Sequence, residues 1–280
     1  MLLTYINQEI MNIFWIQLDT LKYNNFFNEI TNFSEQKIIF TPNPEILLNI
    51  KKDEEFKTLI QKADYLTPDG IGLYIAFQII DAWEATWKSY IKLPYYFYNL
   101  FFKRKKLYEK YGERICGSDL TRDLVDFASD KQVKIAIIDL YNPTDANKVA
   151  SQEIFSKKLQ QKFPKLQFDY YIYNPEKKSE IIEQIENSDA KILFSTLWMK
   201  KQESSIVEIM EQAKNIKIGL WIGSSFDYFI GFQKRAPKLF RSLGLEWFYR
   251  IFTGPQKIKR LKRIYNAIFV FLFNVLHDKK

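Results

Sequence analysis

Between residues 13 and 222, short apolar runs alternate with longer amphipathic ones. That alternation predicts strands exchanged with helices in a mostly parallel sheet. The strands fall at 13–18, 37–40, 65–66, 134–140, 167–172, 191–195 and 217–222, most of them rich in β-branched or aromatic residues. Between them, the spacing of apolar positions predicts helices over 44–51, 53–62, 119–130, 144–162, 176–187 and 202–214. Asn43, Pro44 and Glu45 make one of the clearest start signals: a side-chain acceptor, a residue preset for the first turn, then an acid at the positive end of the helix dipole.

Two stretches break this rhythm. Residues 83–111 are crowded with aromatics and carry Lys103, Arg104, Lys105 and Lys106 without the turn signals of a compact βα unit, so they read as an insertion. Two readings of it stand side by side: a packed helical hairpin, or a lipid-facing surface built from the 95–102 aromatics and the basic run. After Gly223 the strand pattern stops. Residues 237–280 read as a helical appendage, with Lys257, Lys259, Arg260, Lys262 and Arg263 preceding an apolar run at 267–276. That run is shorter than the about 20 residues needed to span a bilayer, but it suits lying on one. The expected organisation is an α/β domain over 1–236 and the appendage over 237–280.

Composition narrows the chemistry. A chain of 280 residues, 47% of them hydrophobic, can bury one large core. The single cysteine, Cys116, permits no internal disulfide, and the sequence opens with no secretory leader, so a reducing cytoplasm is expected. The net charge of +8 calls for an anionic partner: nucleic acid, lipid headgroups or a phosphorylated substrate. Because the basic residues cluster beside apolar runs and form no aromatic-interleaved groove, nucleic acid is not expected. The only histidine, His277, lies near the C-terminus, which disfavours Ser-His-Asp and Cys-His machinery and leaves acid–base work to carboxylates, lysines or tyrosines.

In an open α/β sheet, ligands bind at the carboxyl ends of the strands. Thr41, Pro42, Asn43 and Pro44 follow one strand, and Thr67, Pro68, Asp69 and Gly70 follow another. Each segment offers a hydroxyl and an amide or acid on a proline-stiffened turn opening into a helix, whose free N–H groups favour anions. By spacing alone Asn43 and Asp69 read as helix caps or as pocket groups.

The order of the motifs adds to this. The chain runs through Thr-Pro-Asn-Pro at 41–44, Pro-Asp-Gly-Ile-Gly at 68–72, Glu-Arg-Ile-Cys-Gly-Ser-Asp-Leu at 113–120, Lys-Gln-Glu at 201–203, Ile-Gly-Ser-Ser-Phe-Asp at 222–227, Gly231, Arg-Ala-Pro at 235–237 and Gly-Leu-Glu-Trp-Phe-Tyr-Arg at 244–250. In this order and spacing it resembles, from about residue 13 to 263, the WecG/TagA/CpsF family of bacterial glycosyltransferases. The resemblance implies a Rossmann-like, mostly parallel sheet of the GT-E type. It also implies an inverting transfer of an N-acetylmannosamine-type or related sugar from a UDP-sugar to a polyprenyl-diphosphate-linked acceptor, in cell-surface polysaccharide or teichoic-acid synthesis, with no metal and no cofactor.

By the same resemblance Asp69 is the catalytic base. Thr41 and Asn43 line its pocket, Arg114 and Gln202 contact substrate or diphosphate, and Asp227 lies near the nucleotide, although capping of the next segment is an equal reading of it. Arg250, Lys257 and Arg260 match arginines of a C-terminal appendage that closes over the site at the inner face of the cell membrane; Lys257 lacks the bidentate fork of arginine. Independently of family, the chain has no Asp-x-Asp pair to bridge a divalent ion to a diphosphate. A basic helix beside Phe269, Phe271, Leu272 and Phe273 should bind anionic lipid, each basic residue contributing about 1 kcal/mol near the surface. The chain departs from the family at Tyr141, Asn142, Pro143 and Thr144, where a glycine-rich turn is usual, and at Trp198, Met199 and Lys200, where Gly-x-Pro is usual. These departures keep a second reading open, a relative that binds UDP or lipid-linked sugar without turnover.

Overall fold

The computed structural model describes residues 11–82, 86–140, 146–223, 225–229, 231, 234–242, 245–246, 248–249 and 257–278, with backbone alone at 140, 146–152 and 257–260. A six-stranded, all-parallel sheet runs in the order β4-β3-β8-β7-β5-β6. Its strands are β3 (Lys37–Phe40), β4 (Tyr65–Leu66), β5 (Ile135–Leu140), β6 (Phe168–Tyr173), β7 (Ile192–Ser195) and β8 (Ile218–Trp221). The inner strands β7 and β8 are buried at every position, as expected where both faces of a parallel sheet are covered.

The predicted strand at 13–18 is corrected. Residues Met11–Ile13 (β1) and Ile16–Leu18 (β2) form a separate antiparallel hairpin, turning through Phe14 and Trp15, both with positive φ. Such two-residue turns usually carry Asn-Gly. Here the burial of Phe14, edge-on to Phe271 at 5.8 Å, holds a bulky residue in that conformation.

Helices cover both faces. On one lie α1 (Tyr23–Ile30), α7 (Gly117–Lys131), α8 (Ala146–Lys162) and α11 (Ser225–Phe229), which share a core with Ile39, Ile137, Phe194 and Leu220. On the other lie α2 (Pro44–Ile50), α3 (Glu54–Ile60), α4 (Ile71–Asp81), α9 (Lys178–Glu186) and α10 (Lys201–Gln212), around Phe40, Leu66, Leu193 and Trp221. The caps behave as the sequence requires: Asn43 Oδ1 accepts from Ile46 N (3.0 Å), and Asp53 Oδ1 from Phe56 N (2.9 Å).

The insertion is a helical hairpin, α5 (Thr86–Phe102) and α6 (Arg104–Tyr111). It docks on α4 through a buried polar link: Gln78 Nε2 donates to Tyr96 O (3.2 Å), and Asn99 Nδ2 donates to Gln78 Oε1 (2.9 Å). Beyond α11 come α12 (Lys238–Ser242), α13 (Lys257–Tyr265), a π-helical turn at Asn266–Val270 and α14 (Phe271–His277). Phe271, Leu272, Val275 and Leu276 of α14 enter the core against α4. This corrects the expectation that Phe271 and Leu272 face lipid; Phe269 and Phe273 are the exposed members of that set. Among the described residues, no helix is long and apolar enough to cross a membrane.

Candidate active site

The loops after β3 and β4 lie side by side and are joined by backbone hydrogen bonds, Thr67 N to Phe40 O (2.9 Å) and Asp69 N to Pro42 O (3.0 Å). Gly70 holds φ +110°, a conformation that L side chains rarely adopt, and a Cβ there would stand 3.3 Å from Pro44 Cδ. A Cβ at Gly72 would stand 2.9 Å from Pro44 Cγ. The Pro-Asp-Gly-Ile-Gly and Thr-Pro-Asn-Pro motifs therefore fit against each other. Gly70 occupies the N-cap position of α4, so the cap reading of Asp69 is corrected, whereas Asn43 is a cap.

A third segment closes on this pair. Glu113 fixes it from behind, donating its backbone N–H to Leu21 O (2.8 Å) and accepting from Tyr23 N (3.1 Å) through its carboxylate. Arg114 then points inward, mostly buried, with Nη1 3.4 Å from Asp69 Oδ1 and Nη2 donating to Arg241 O (3.2 Å). At the next turn Gly117 lets the start of α7 approach Thr41: a Cβ there would lie 2.8 Å from Thr41 Oγ1. Thr41 is itself buried and accepts from Trp221 Nε1 (2.9 Å), while the Trp221 ring stacks on Phe40.

Arg235 and Arg241 complete the cluster. Arg235 donates to Ser118 Oγ (2.9 Å) and to the Asp119 carboxylate, and Arg241 Nη1 stands 3.7 Å from the same carboxylate. Three guanidinium groups thus gather with Asp69 and Asp119 at the N-terminus of α7, where unpaired N–H groups and the helix dipole favour negative charge. Two atoms here are buried without a hydrogen-bond partner among the described residues, Thr67 Oγ1 and Arg235 Nε. Cys116 lies beside this centre, but burial pushes its thiol up to about 11, which leaves it a poor nucleophile at neutral pH. Arg235 stood in a recognised motif without an assigned role; Arg241 had no signal beyond its charge.

Gln202 and Asp227 lie along the same carboxyl edge of the sheet. Gln202 is buried at the start of α10, after β7, and its Nε2 donates to Glu203 Oε1 (2.9 Å). Asp227 is half-buried in the first turn of α11, after β8. Burial, then the charges of Asp139 and Asp227, raise the pKa of Tyr170, whose hydroxyl donates to Asp139 Oδ2 (2.7 Å). Thr196 Oγ1 donates to the other oxygen of Asp139 (2.6 Å). Asp227 thus belongs to a second polar group with Asp139, Tyr170 and Thr196. Residues 141–145 and Arg250 lie outside the described residues, as do the side chains of Lys257 and Arg260, whose backbone belongs to α13.

Glu203 is wholly buried, its Oε2 lacks a partner among the described residues, and burial lifts its pKa from 4.5 to about 7. A carboxyl whose pKa is raised on folding binds its proton more tightly in the native state. Stability therefore falls as pH rises from about 4.5 to about 7 and levels off above that. Glu203→Gln is expected to change little at pH 5 and to stabilise the protein by on the order of 3 kcal/mol at pH 8. Thermal melts of both proteins at the two pH values measure this, and an equal shift at both would contradict the buried carboxyl.

The turn before α10 also departs from easy backbone geometry. Lys200 sits at φ 71°, ψ −43°, near the strained γ-turn region, and pairs with Asp53. Since an exposed ion pair adds little and glycine accepts this backbone, Lys200→Gly is expected to raise the melting temperature by about 2–4 °C. A lower melting temperature in differential scanning calorimetry would contradict the strain.

With this geometry in view, the chain can be set beside known proteins. The profile of the Glycosyl transferase WecG/TagA/CpsF family matches residues 11–102 and 100–280. A protein of Staphylococcus aureus (strain MRSA252) named N-acetylglucosaminyldiphosphoundecaprenol N-acetyl-beta-D-mannosaminyltransferase is 25% identical over 256 residues, covering 91% of this chain and 84% of the relative. A protein of the same name from Bacillus subtilis (strain 168) is 26% identical over 265 residues, covering 92% of this chain and 88% of the relative.

Proposed function

The chain belongs to the Glycosyl transferase WecG/TagA/CpsF family, and from that premise we propose that it transfers an N-acetylmannosamine-type sugar from a UDP-sugar to a polyprenyl-diphosphate-linked acceptor, with inversion and without a metal. The observation that carries this reading is Asp69 at the mouth of the β3–β4 crevice, its carboxylate held against the mostly buried Arg114.

Asp69 takes the proton from the acceptor hydroxyl as that oxygen bonds to the anomeric carbon. The bond from that carbon to the UDP oxygen breaks on the opposite face, and UDP leaves with the electron pair. Arg114 orients the carboxylate. Arg235, Arg241 and the N-terminus of α7 stabilise diphosphate charge, which guanidinium groups and helix N–H donors do well. Thr41 and Asn43 shape the pocket floor, and Gln202 supports the β7 side of the crevice. Asp227, with Asp139 and Tyr170 nearby, accepts from a ribose hydroxyl or the uracil N–H.

Arg250, Lys257 and Arg260 close over the diphosphate when the protein sits peripherally on the inner face of the cell membrane, its basic C-terminal helix against anionic lipid. The relatives' name, which specifies an N-acetylglucosaminyl-diphosphoundecaprenol acceptor and an N-acetylmannosaminyl donor group, supports this choice of substrates.

The test is release of UDP from UDP-N-acetylmannosamine in EDTA, with and without a polyprenyl-diphosphate N-acetylglucosamine analogue. Release that depends on acceptor and ignores EDTA is expected. Binding of UDP without release would favour a non-catalytic relative, and dependence on a divalent ion would overturn the metal-free step.

A further inference from the structure

The α5 helix presents an apolar stripe to solvent. Trp87, Ile91, Tyr95, Tyr98 and Phe102 recur at spacings of three and four, which places them on one face, and all are exposed, from 48% at Tyr98 to 75% at Phe102. The opposite face, with Ser89, Tyr96, Asn99 and Leu100, is buried against the domain, so this exposure belongs to a docked helix.

The flanks of the stripe are basic. From residue 86 to 108 the sequence has no acidic residue, while Lys88, Lys92, Lys103, Arg104, Lys105 and Lys106 fall within it. The Lys88 and Lys103 ammonium groups lie over the rings of the stripe, Lys88 at 5.6 Å from Trp87, and Lys103 at 5.8 Å from Tyr95 and 5.5 Å from Tyr98.

A second stripe lies beside it. Leu261, Tyr265, Phe269 and Phe273 recur every fourth residue from α13 into α14 and are exposed, with Lys262 and Arg263 among them. The two helices meet where Thr86 Oγ1 donates to Leu276 O (3.3 Å) and where Tyr90 packs on His277. Between α5 and the C-terminal helices, flanking the first stripe and bordered by the second, lies a cavity of about 530 Å³ lined only by apolar and aromatic side chains, among them Tyr90, Leu93, Phe97, Tyr265, Phe269 and Phe273.

We propose that α5 and the 261–273 stripe form one interfacial surface that docks on an anionic lipid bilayer, with lipid hydrocarbon chains entering the groove between them. Charge selects this occupant: a basic rim around an aromatic stripe, on a helix without acidic residues, is repelled by cations, fits an anionic surface, and puts Trp and Tyr rings at headgroup depth. The α5 helix, about 25 Å long for its 17 residues, lies in the plane of that surface. The inference extends the proposed C-terminal membrane attachment to a separate element and stands on the residues of α5 themselves.

The experiment is flotation of the full chain with phosphatidylcholine vesicles, with and without phosphatidylglycerol. Wild type is compared with a variant carrying Trp87→Ser, Ile91→Ser, Tyr98→Ser and Phe102→Ser, and with another carrying Tyr265→Ser, Phe269→Ser and Phe273→Ser. Circular dichroism and transfer to a water-soluble acceptor analogue serve as controls. The expected result is binding of wild type to the anionic vesicles only, and a loss of about tenfold or more in each variant with folding and soluble-acceptor transfer unchanged. Unchanged flotation of the α5 variant beside loss in the C-terminal variant overturns the role of α5 and leaves the C-terminal attachment standing. No binding by wild type overturns both. A shift of the α5 variant from dimer to monomer in sedimentation, with vesicle binding unchanged, assigns the face to a second copy of the chain and overturns the proposal.

Discussion

Asp69→Asn is expected to fold normally and to turn over at least about 10²-fold more slowly, the usual scale of acid–base assistance. Asparagine keeps the volume of the side chain at a position with a quarter of its surface exposed, and Arg114 retains its hydrogen bond to Arg241 O, so little stability should be lost. In the proposed mechanism, what disappears is the acceptor for the proton of the attacking hydroxyl. Donor binding, which that mechanism assigns to the guanidinium groups, should change far less than kcat. Steady-state kinetics at saturating donor, together with a thermal melt, separate the two effects. An undiminished kcat would remove Asp69 from the chemistry.

Arg114→Gln should be the next most damaging change, lowering kcat/KM by about 10²-fold. Arg114 does two things at once: it sets the direction of the Asp69 carboxylate and it ties the segment before α7 to α12 through Arg241 O. Removing it also costs about 1–3 kcal/mol of stability, because a mostly buried charge-assisted hydrogen bond is lost and Asp69 stays behind without this partner. Arg114→Lys, which keeps the charge but lacks the planar fork, should recover only part of the loss. Full recovery by lysine would mean that charge alone matters at this position and would contradict the two-sided role.

The parallel strands were legible because buried strands read as short β-branched and aromatic runs, and α2 and α3 because their caps, Asn43 and Asp53, stand directly before amphipathic stretches. Other elements were hidden for physical reasons. The α4 helix is buried on all sides from Ile71 to Ile79, so it has no polar face from which a helical period could be read. The asparagine-rich α1, Tyr23–Ile30, has weak helix propensity and is held by Phe26 and Ile30 in the core. The 11–18 hairpin turns through Phe14 and Trp15, with none of the usual turn residues.

The candidate site was legible unevenly. Spacing could not separate Asp69 from a helix cap, and only Gly70 in the cap position, with Arg114 turned toward the carboxylate, distinguishes them. Thr41 and Gly117 were both within motifs, yet their mutual approach is a tertiary fact with no local signal. Arg241 lies in α12, five residues after the backbone carbonyl of Ala236 that its own Nε meets (3.1 Å), and nothing in its sequence neighbourhood marks it as part of a cluster. The C-terminal apolar run was ambiguous because one strip of it serves the core, through Phe271, Leu272, Val275 and Leu276, while the strip beside it stays exposed.

The most direct test of the central claim is the mass and linkage of the lipid product formed from UDP-N-acetylmannosamine and a polyprenyl-diphosphate N-acetylglucosamine analogue in EDTA. The predicted result is an acceptor heavier by one N-acetylhexosamine, joined with an anomeric configuration opposite to that of the donor. An acceptor of unchanged mass, or a product that retains the donor configuration, would contradict it.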